Sequence, residues 1–294
     1  MDSAVLLKTR GKTSRGTVRR VRKIALSWLG LAPLVIASII FVAPILWTVT
    51  SSLRAPVSSF TLPPQWFPTH PDWSNYAVIF TSVPYGAYVL NSAIVAIGIV
   101  AGQLFTASLA GYAFARLTFP GKNILFWLIM ATLMIPLQAT IIPVFVLISK
   151  LGLNDTLASL ILPALPSAFG TFLMRQYFMG LPNELEEAAV IDGAGSLRAF
   201  WSIYLPLGLP GLAILAILTF NGSWNEFFRP LIFLTSQHNF TVPLGLVTLY
   251  GYMSTGSISV VLAGVVLSVL IVLTVYLFGQ RYLIEGLTMG GLKG

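Results

Sequence analysis

The chain has 294 residues, of which 56% are hydrophobic and 9% charged, with no cysteine and a formal net charge of +8. An average soluble domain carries about 25% charged residues; so little charge leaves too few polar groups to cover a water-soluble globule, while the apolar content excludes a disordered chain and the missing thiols exclude a disulfide-stapled secreted domain. With a mean hydropathy of +0.86, the composition predicts an all-α, multi-pass membrane protein.

The first element is a basic arm, residues 1–23. Its eight basic residues, Lys8, Arg10, Lys12, Arg15, Arg19, Arg20, Arg22 and Lys23, stand just before the first long apolar run. Such a block beside a spanning helix is the positive flank that stays in the cytoplasm, so the net charge requires no nucleic-acid partner. The run that follows is too long for the core of a cleaved signal and lacks a small-residue cleavage site. Gly11-Lys12-Thr13 lacks the earlier glycine of a Walker A loop, whose place is taken by Leu6, so no nucleotide site is expected in this chain.

Charge-free runs of about 20 residues, long enough to cross about 30 Å of hydrocarbon, set the spans. Residues 24–53 predict span one, followed by a loop rich in proline and tryptophan (Pro56, Pro63, Pro64, Trp66, Pro68, Pro71, Trp73). Spans two, three and four are expected at 85–114, 123–149 and 156–174, and span five within 199–225. The run 230–280 is too long for one helix and is broken at Ser236-Gln237-His238-Asn239 and at Ser254-Thr255-Gly256-Ser257, which leaves span six at 259–278 and a tail at 283–294. Pro33, Pro44, Pro136, Pro143, Pro163, Pro166 and Pro210 fall inside spans or at their ends, where neighbouring helices satisfy the freed backbone. No internal repeat supports an inverted-repeat carrier.

Six spans put both termini on one side. On that layout fourteen basic residues lie inside (the arm, Arg116, Lys122, Arg175, Arg198, Arg281 and Lys293) and three outside (Arg54, Lys150 and Arg229), an asymmetry that predicts N-in, C-in. Trp28 and Trp127 then sit near the inner interface and Trp47 near the outer one.

The most informative stretch is the acidic segment 183–205, on the inner side between spans four and five. Asn183 and Glu186 have capping-box spacing, and Glu184, Glu186 and Glu187 suit the positive end of a helix. Leu185, Ala188, Ala189 and Ile191 fall largely on one face, and Gly193 stands where a left-handed cap ends the helix. Ser196 is expected to cap a second short helix running to Leu205, before Pro206. The segment reads either as an amphipathic turn on the membrane surface or as a docking knob, since Ala188, Ala189, Gly193 and Ala194 remove bulk where a partner would approach.

Glu187-Ala188-Ala189, Asp192-Gly193-Ala194, Phe200, Ile203, Leu205-Pro206 and Pro210 resemble the EAA motif of ABC-importer permeases. Trp224-Asn225-Glu226-Phe227, Pro230-Leu231 and Phe233-Leu234-Thr235-Ser236 are similar to the carbohydrate branch, specifically the maltose-type second permease. So are Gln280-Arg281-Tyr282, Gly286-Leu287-Thr288 and the final Lys293-Gly294. Arg229, Glu285 and Met289-Gly290 depart from that pattern. The resemblance implies an importer in a bacterial-type inner membrane, built from two permeases, two ATP-hydrolysing subunits and an extracytoplasmic solute-binding protein. ATP and Mg would bind the partner subunits, and this chain would hold no cofactor. The resemblance further implies that Glu187, Ala188, Ala189, Asp192, Gly193 and Ala194 form the coupling helix that seats in an ATPase cleft. The tail from Gly286 would reach the ATPases, and the loop from Gln237 to Ser257 would meet the binding protein.

Glu226 and Arg229 interrupt an apolar run near the outer end of span five. Ionisable groups at membrane depth are costly, so they face a cavity or pair with each other, and their spacing permits a local pair. Asn221, Asn225 and Glu226 are candidates for a polar path along which sugar hydroxyls are bonded. Trp224 suits sugar stacking or an interfacial anchor. His70 and His238 are far apart with no second ligand nearby, so no metal site is expected. No Ser, His and acid set gathers at one membrane face, so no catalysis by this chain is expected either. An ion-coupled secondary carrier and a permease for a non-sugar solute are the alternatives; a secondary carrier gives the acidic segment no role.

Overall fold

The computed structural model describes residues 10–55, 66–252 and 258–291. Lys8, Pro56, Pro63, Pro64, the Ser254-Thr255-Gly256-Ser257 break and Lys293-Gly294 lie outside the described residues. Among the described residues all regular structure is helical.

Helix α1 (Arg10–Ser52) joins the described part of the basic arm and the first span in one continuous helix. Its apolar stretch leaves Leu34, Ile39, Ile40 and Phe41 exposed, a surface matched to hydrocarbon and not to water. Asn75 closes the end of α1: its amide donates to the carbonyl of Ser52, the last helical residue, at 2.9 Å and to that of Arg54, just beyond, at 2.8 Å. Asn75 belongs to α2 (Ser74–Ser82), a short helix between the expected proline-rich loop and span two, where the sequence reading assigns no element.

Helix α3 (Tyr85–Arg116) is the centre of the molecule and packs on α7 (Ala168–Met179) and α11 (Leu209–Trp224). In lipid, apolar surface gains little from mutual burial, so close van der Waals packing of small residues brings helices together. A Cβ on Gly102 would lie 2.1 Å from Leu165 Cδ2, and one on Gly111 would lie 2.6 Å from Met174 Cβ and 2.9 Å from the Arg175 backbone nitrogen. At Gly111, where backbone stands opposite, only glycine permits that approach.

Three helices, Leu31–Ser52 of α1, α3, and Ile258–Tyr282 of α14 (Ile258–Gly291), are long and apolar enough to cross a membrane alone. The other expected spans are bent pairs, and counting each pair as one span gives up to six among the described residues. Lys122–Met134, made of α4 (Lys122–Ala131) and a 3-10 turn, meets α5 (Leu137–Lys150) at 103° across Ile135-Pro136. Ala158–Ala164, made of α6 (Ala158–Ile161) and a 3-10 turn, meets α7 at 44°, and Ser196–Leu207 meets α11 at 71°. Breaks need partners for the backbone they free. At the second one, α3 supplies them: Gln103 Nε2 donates to the Ala164 carbonyl and Thr106 Oγ1 to the Leu165 carbonyl, both at 2.8 Å. Ser167 then caps the restart by accepting from the Gly170 N–H at 2.9 Å.

After α12 (Phe228–Phe233), the expected loop 237–257 contains α13 (Val242–Tyr252), which buries Val242, Leu244 and Leu249. It is pinned to the N-terminal half of α3, where Ser92 Oγ accepts from the Val242 N–H at 2.8 Å and Asn91 donates to the carbonyls of His238 and Phe240. Helix α14 continues through Gly291, so the described part of the expected tail is helical.

Candidate functional site

The acidic segment forms α8 (Glu184–Ile191). Its start differs from the expected capping box. The Asn183 side-chain oxygen accepts from the Arg116 guanidinium, while the Asn183 backbone carbonyl accepts from the N–H groups of Glu186 at 2.9 Å and Glu187 at 3.2 Å. A charged donor is the stronger partner for that oxygen. The end of α8 is as expected: Gly193 has φ +70°, and the Ala194 N–H reaches back to the Ala189 carbonyl at 2.9 Å, closing a Schellman cap. Ser196 does not cap the next helix. Gly195 holds the N-cap with φ −71° and ψ 162°, and Ser196 is the first residue of α9 (Ser196–Ala199), its carbonyl accepting from Tyr112 Oη at 3.0 Å. A π-turn at Phe200–Tyr204 and α10 (Leu205–Leu207) lead on to α11.

The expected apolar face of α8 divides. Ala189, 5% exposed, turns into a cluster with Tyr112, Met174, Phe178, Ala199, Phe200 and Tyr204; Leu185 is half-buried and Ala194 packs against the same cluster. Glu187, Ala188, Asp192 and Gly193 are exposed, and Ile191 is 84% exposed. A Cβ on Gly193 would meet nothing within 4 Å. The outward side of α8 therefore carries small residues between carboxylates, with an apolar side chain that the described residues leave uncovered.

Arg116, the last residue of α3, holds α8 in place. Its Nη2 donates to the carbonyls of Phe178 at 2.7 Å and Leu181 at 2.6 Å, satisfying the end of α7 where the helix dipole favours a cation. Its Nη1 bonds Asn183 and stands 3.8 Å from Glu186 Oε2, and the guanidinium lies 5.2 Å from the Tyr204 ring centroid. The Arg116 side chain is 6% exposed. Tyr204 Oη donates to Glu186 Oε2 at 3.3 Å. Sequence reasoning counts Arg116 only as a topology charge and misses Tyr112 and Tyr204. The available signal is a basic residue in the last turn of a span.

The candidate pathway residues separate onto two surfaces of α11. Trp224 is 2% exposed; its indole N–H donates to Ser268 Oγ at 2.9 Å and its ring stacks on Phe220 with centroids 5.5 Å apart. It is a packing residue in this conformation, with no open face for a sugar. Asn221 and Asn225 are exposed, bonded to each other, and line a cavity of about 380 Å³ toward α14 whose other walls include Phe220, Val269, Val272 and Tyr276. Glu226 lines a different cavity, of about 480 Å³, with Gln103, Thr219, Ser223 and Arg229. There its carboxylate pairs with Arg229 through Nε and Nη2, and Arg229 Nη1 donates to the Leu160 carbonyl at 3.4 Å. Gln103, near the middle of α3, accepts from Thr219 Oγ1 at 2.9 Å.

At the other end of the molecule Asp155, with φ +57°, accepts at Oδ1 from the N–H groups of Thr235 and Ser236, both at 2.9 Å, and its carbonyl accepts from Asn239. Ser236, through side chain and amide, and then the Thr235 amide hold this carboxyl well below the usual carboxylate range. The turn after α5 is thereby fastened to the connection between α12 and α13.

Residues 98–284 match the family model described as binding-protein-dependent transport system inner membrane component. The chain is 39% identical over 277 residues to the arabinooligosaccharides transport system permease protein AraQ of Halalkalibacterium halodurans, covering 92% of this chain and 97% of that one. It is 37% identical over 225 residues to the sn-glycerol-3-phosphate transport system permease protein UgpE of Yersinia pestis, covering 73% and 79%. A solved bacterial ABC transporter involved in the import of the acidic polysaccharide alginate aligns with a TM-score of 0.75 at 25% identity, covering 90% of this chain and 96% of that one. The matched stretch contains the Arg116-anchored α8 and both cavities. The chain belongs to the binding-protein-dependent transport system inner membrane components, as a multi-pass permease subunit of an ABC importer.

Proposed function

We propose that this permease imports a carbohydrate, crossing the membrane six times with both termini in the cytoplasm, and works beside a second permease, two ATPase subunits and an extracytoplasmic solute-binding protein. ATP and Mg act on the ATPase subunits. This chain supplies half of the path and the mechanical link to it. The family description supports a binding protein, and the relative named for arabinooligosaccharides supports a sugar.

The observation that carries the reading is the exposed face of α8, with Glu187, Ala188, Ile191, Asp192 and Gly193, fastened to the ends of α3 and α7 by one buried arginine. An ATPase cleft closing on that face moves α8. Arg116 passes the movement to α3 and α7, and the Tyr112 bond to Ser196 passes it toward α11. Ala189 and Ala194, packed inward, set the seat of α8 and leave the contact to the outward residues. Asn221, Asn225 and Glu226 supply polar groups along the path, on the two surfaces of α11.

Affinity purification of the full chain from its native membrane tests the assembly. One further permease and two copies of an ATPase are expected to come with it, and solute uptake is expected to stop when ATP is depleted. Recovery of the chain alone, or uptake driven by an ion gradient without ATP, contradicts the reading.

A further inference from the structure

We propose that the cavity between α3, α7 and α11 is a subsite for uncharged carbohydrate, in which Glu226 cancels the charge of Arg229 so that the wall offers hydrogen-bond donors and acceptors without net charge. The proposal rests on the permease reading above and names the class of solute. At about 480 Å³ the cavity is of ligand size. Ionisable side chains this deep are retained where they pair and face a polar space, and Glu226 and Arg229 do both.

Three N–H groups of Arg229 are committed, to the two carboxylate oxygens and to the Leu160 carbonyl, and the rest are free to donate. Each Glu226 oxygen keeps a further lone pair. Ser223, on the same wall, has a buried hydroxyl without a hydrogen-bond partner, a cost that a ligand hydroxyl would remove. Phe169 adds an apolar surface for the C–H face of a sugar ring. A neutral polyol finds complementary groups here. An anion finds the guanidinium already neutralised and a carboxylate beside it, which is unfavourable. The relatives' names include both an arabinooligosaccharide and a glycerol phosphate, so they do not decide the charge class; the ion pair does.

The test uses the full importer complex in nanodiscs, without binding protein, and saturation-transfer NMR with arabinotriose and trigalacturonate as neutral and anionic probes. Wild type is expected to saturate arabinotriose and to ignore trigalacturonate. Glu226→Gln uncovers Arg229, and the trigalacturonate response is expected to rise about tenfold, the scale of one charge-assisted hydrogen bond. Ser223→Ala, a milder change, is expected to weaken the arabinotriose response by about threefold to tenfold. Equal saturation of both probes in wild type overturns the subsite. So do responses that neither variant changes in complexes that retain their ATPases, and so does an intact wild-type complex indifferent to both probes. A wild-type chain that never associates with ATPases contradicts the importer reading beneath it.

Discussion

Arg116, at the end of α3, and Asn183, just ahead of α8, are joined side chain to side chain across 67 residues of sequence. The same guanidinium caps α7 and faces Glu186 and Tyr204, so three helix ends and the acidic segment share one cation. This joint ties α8 to the ends of α3 and α7, the tie through which the proposed ATPase contact would act.

Replacing Arg116 by leucine should free α8 without unfolding the spans. Charged hydrogen bonds contribute about 1.5–3 kcal/mol, so amide hydrogen exchange over residues 183–199 should accelerate by about tenfold to a hundredfold. Arg116→Lys, a point charge without the planar fork, should give an intermediate rate. Unchanged exchange in Arg116→Leu contradicts the joint.

Gly193 suits its backbone, since φ +70° strains most residues with a Cβ by about 1–2 kcal/mol. The space around it is open within the chain, so the steric test comes from a partner. Gly193→Asn, which tolerates the left-handed region, should insert and keep α8 folded, as read by exchange over the same segment. Gly193→Asp should insert normally and lose transport. Full uptake by the aspartate variant contradicts docking at this cap.

Gly111 and Gly102 should differ in sensitivity. A methyl on Gly102 meets the end of the Leu165 side chain, which can turn, whereas one on Gly111 meets the Met174 Cβ and the Arg175 backbone. Overpacking costs about 1–3 kcal/mol where the neighbour cannot yield. The melting temperature of detergent-purified Gly111→Ala should therefore fall by more than that of Gly102→Ala. The reverse order contradicts the close α3–α7 contact.

Asp155 carries a pH dependence of definite sign. Its carboxyl is depressed in the folded protein, so its contribution is complete above the unfolded value of about 3.9 and is lost as pH falls below that, toward the folded value. The melting-temperature gap between wild type and Asp155→Asn should stay constant from about pH 7 to 5 and shrink below about pH 4. Shrinkage already between about pH 7 and 5 contradicts the assignment.

Much of this was legible from charge alone. Runs without Asp, Glu, Lys or Arg locate the three long apolar helices and the three bent pairs because hydrocarbon excludes those side chains. Gly193 is legible as a cap because few other residues accept its φ, and the Glu226–Arg229 pair is legible from its spacing. Helices α2 and α13 are not, since short uncharged stretches look alike whether they are loop or helix, and burial against Tyr88 and Ser92 decides the second. The prolines mark where helices break, but the 103° at Ile135-Pro136 depends on what packs around it. Arg116 stays hidden because two of its partners are backbone carbonyls, which leave no trace in a sequence. Trp224 misleads for a related reason: its partner Ser268 is 44 residues away.

In the proposed importer, the outward side of α8 is the surface on which an ATPase subunit acts. The chain has no cysteine, so single-cysteine variants report one position each. Ala188→Cys and Asp192→Cys should each cross-link to an ATPase subunit in the assembled importer, whereas Ala189→Cys, turned into the core, should not. Equal cross-linking at 188 and 189, or none at 188 and 192 in an importer that still hydrolyses ATP, contradicts it.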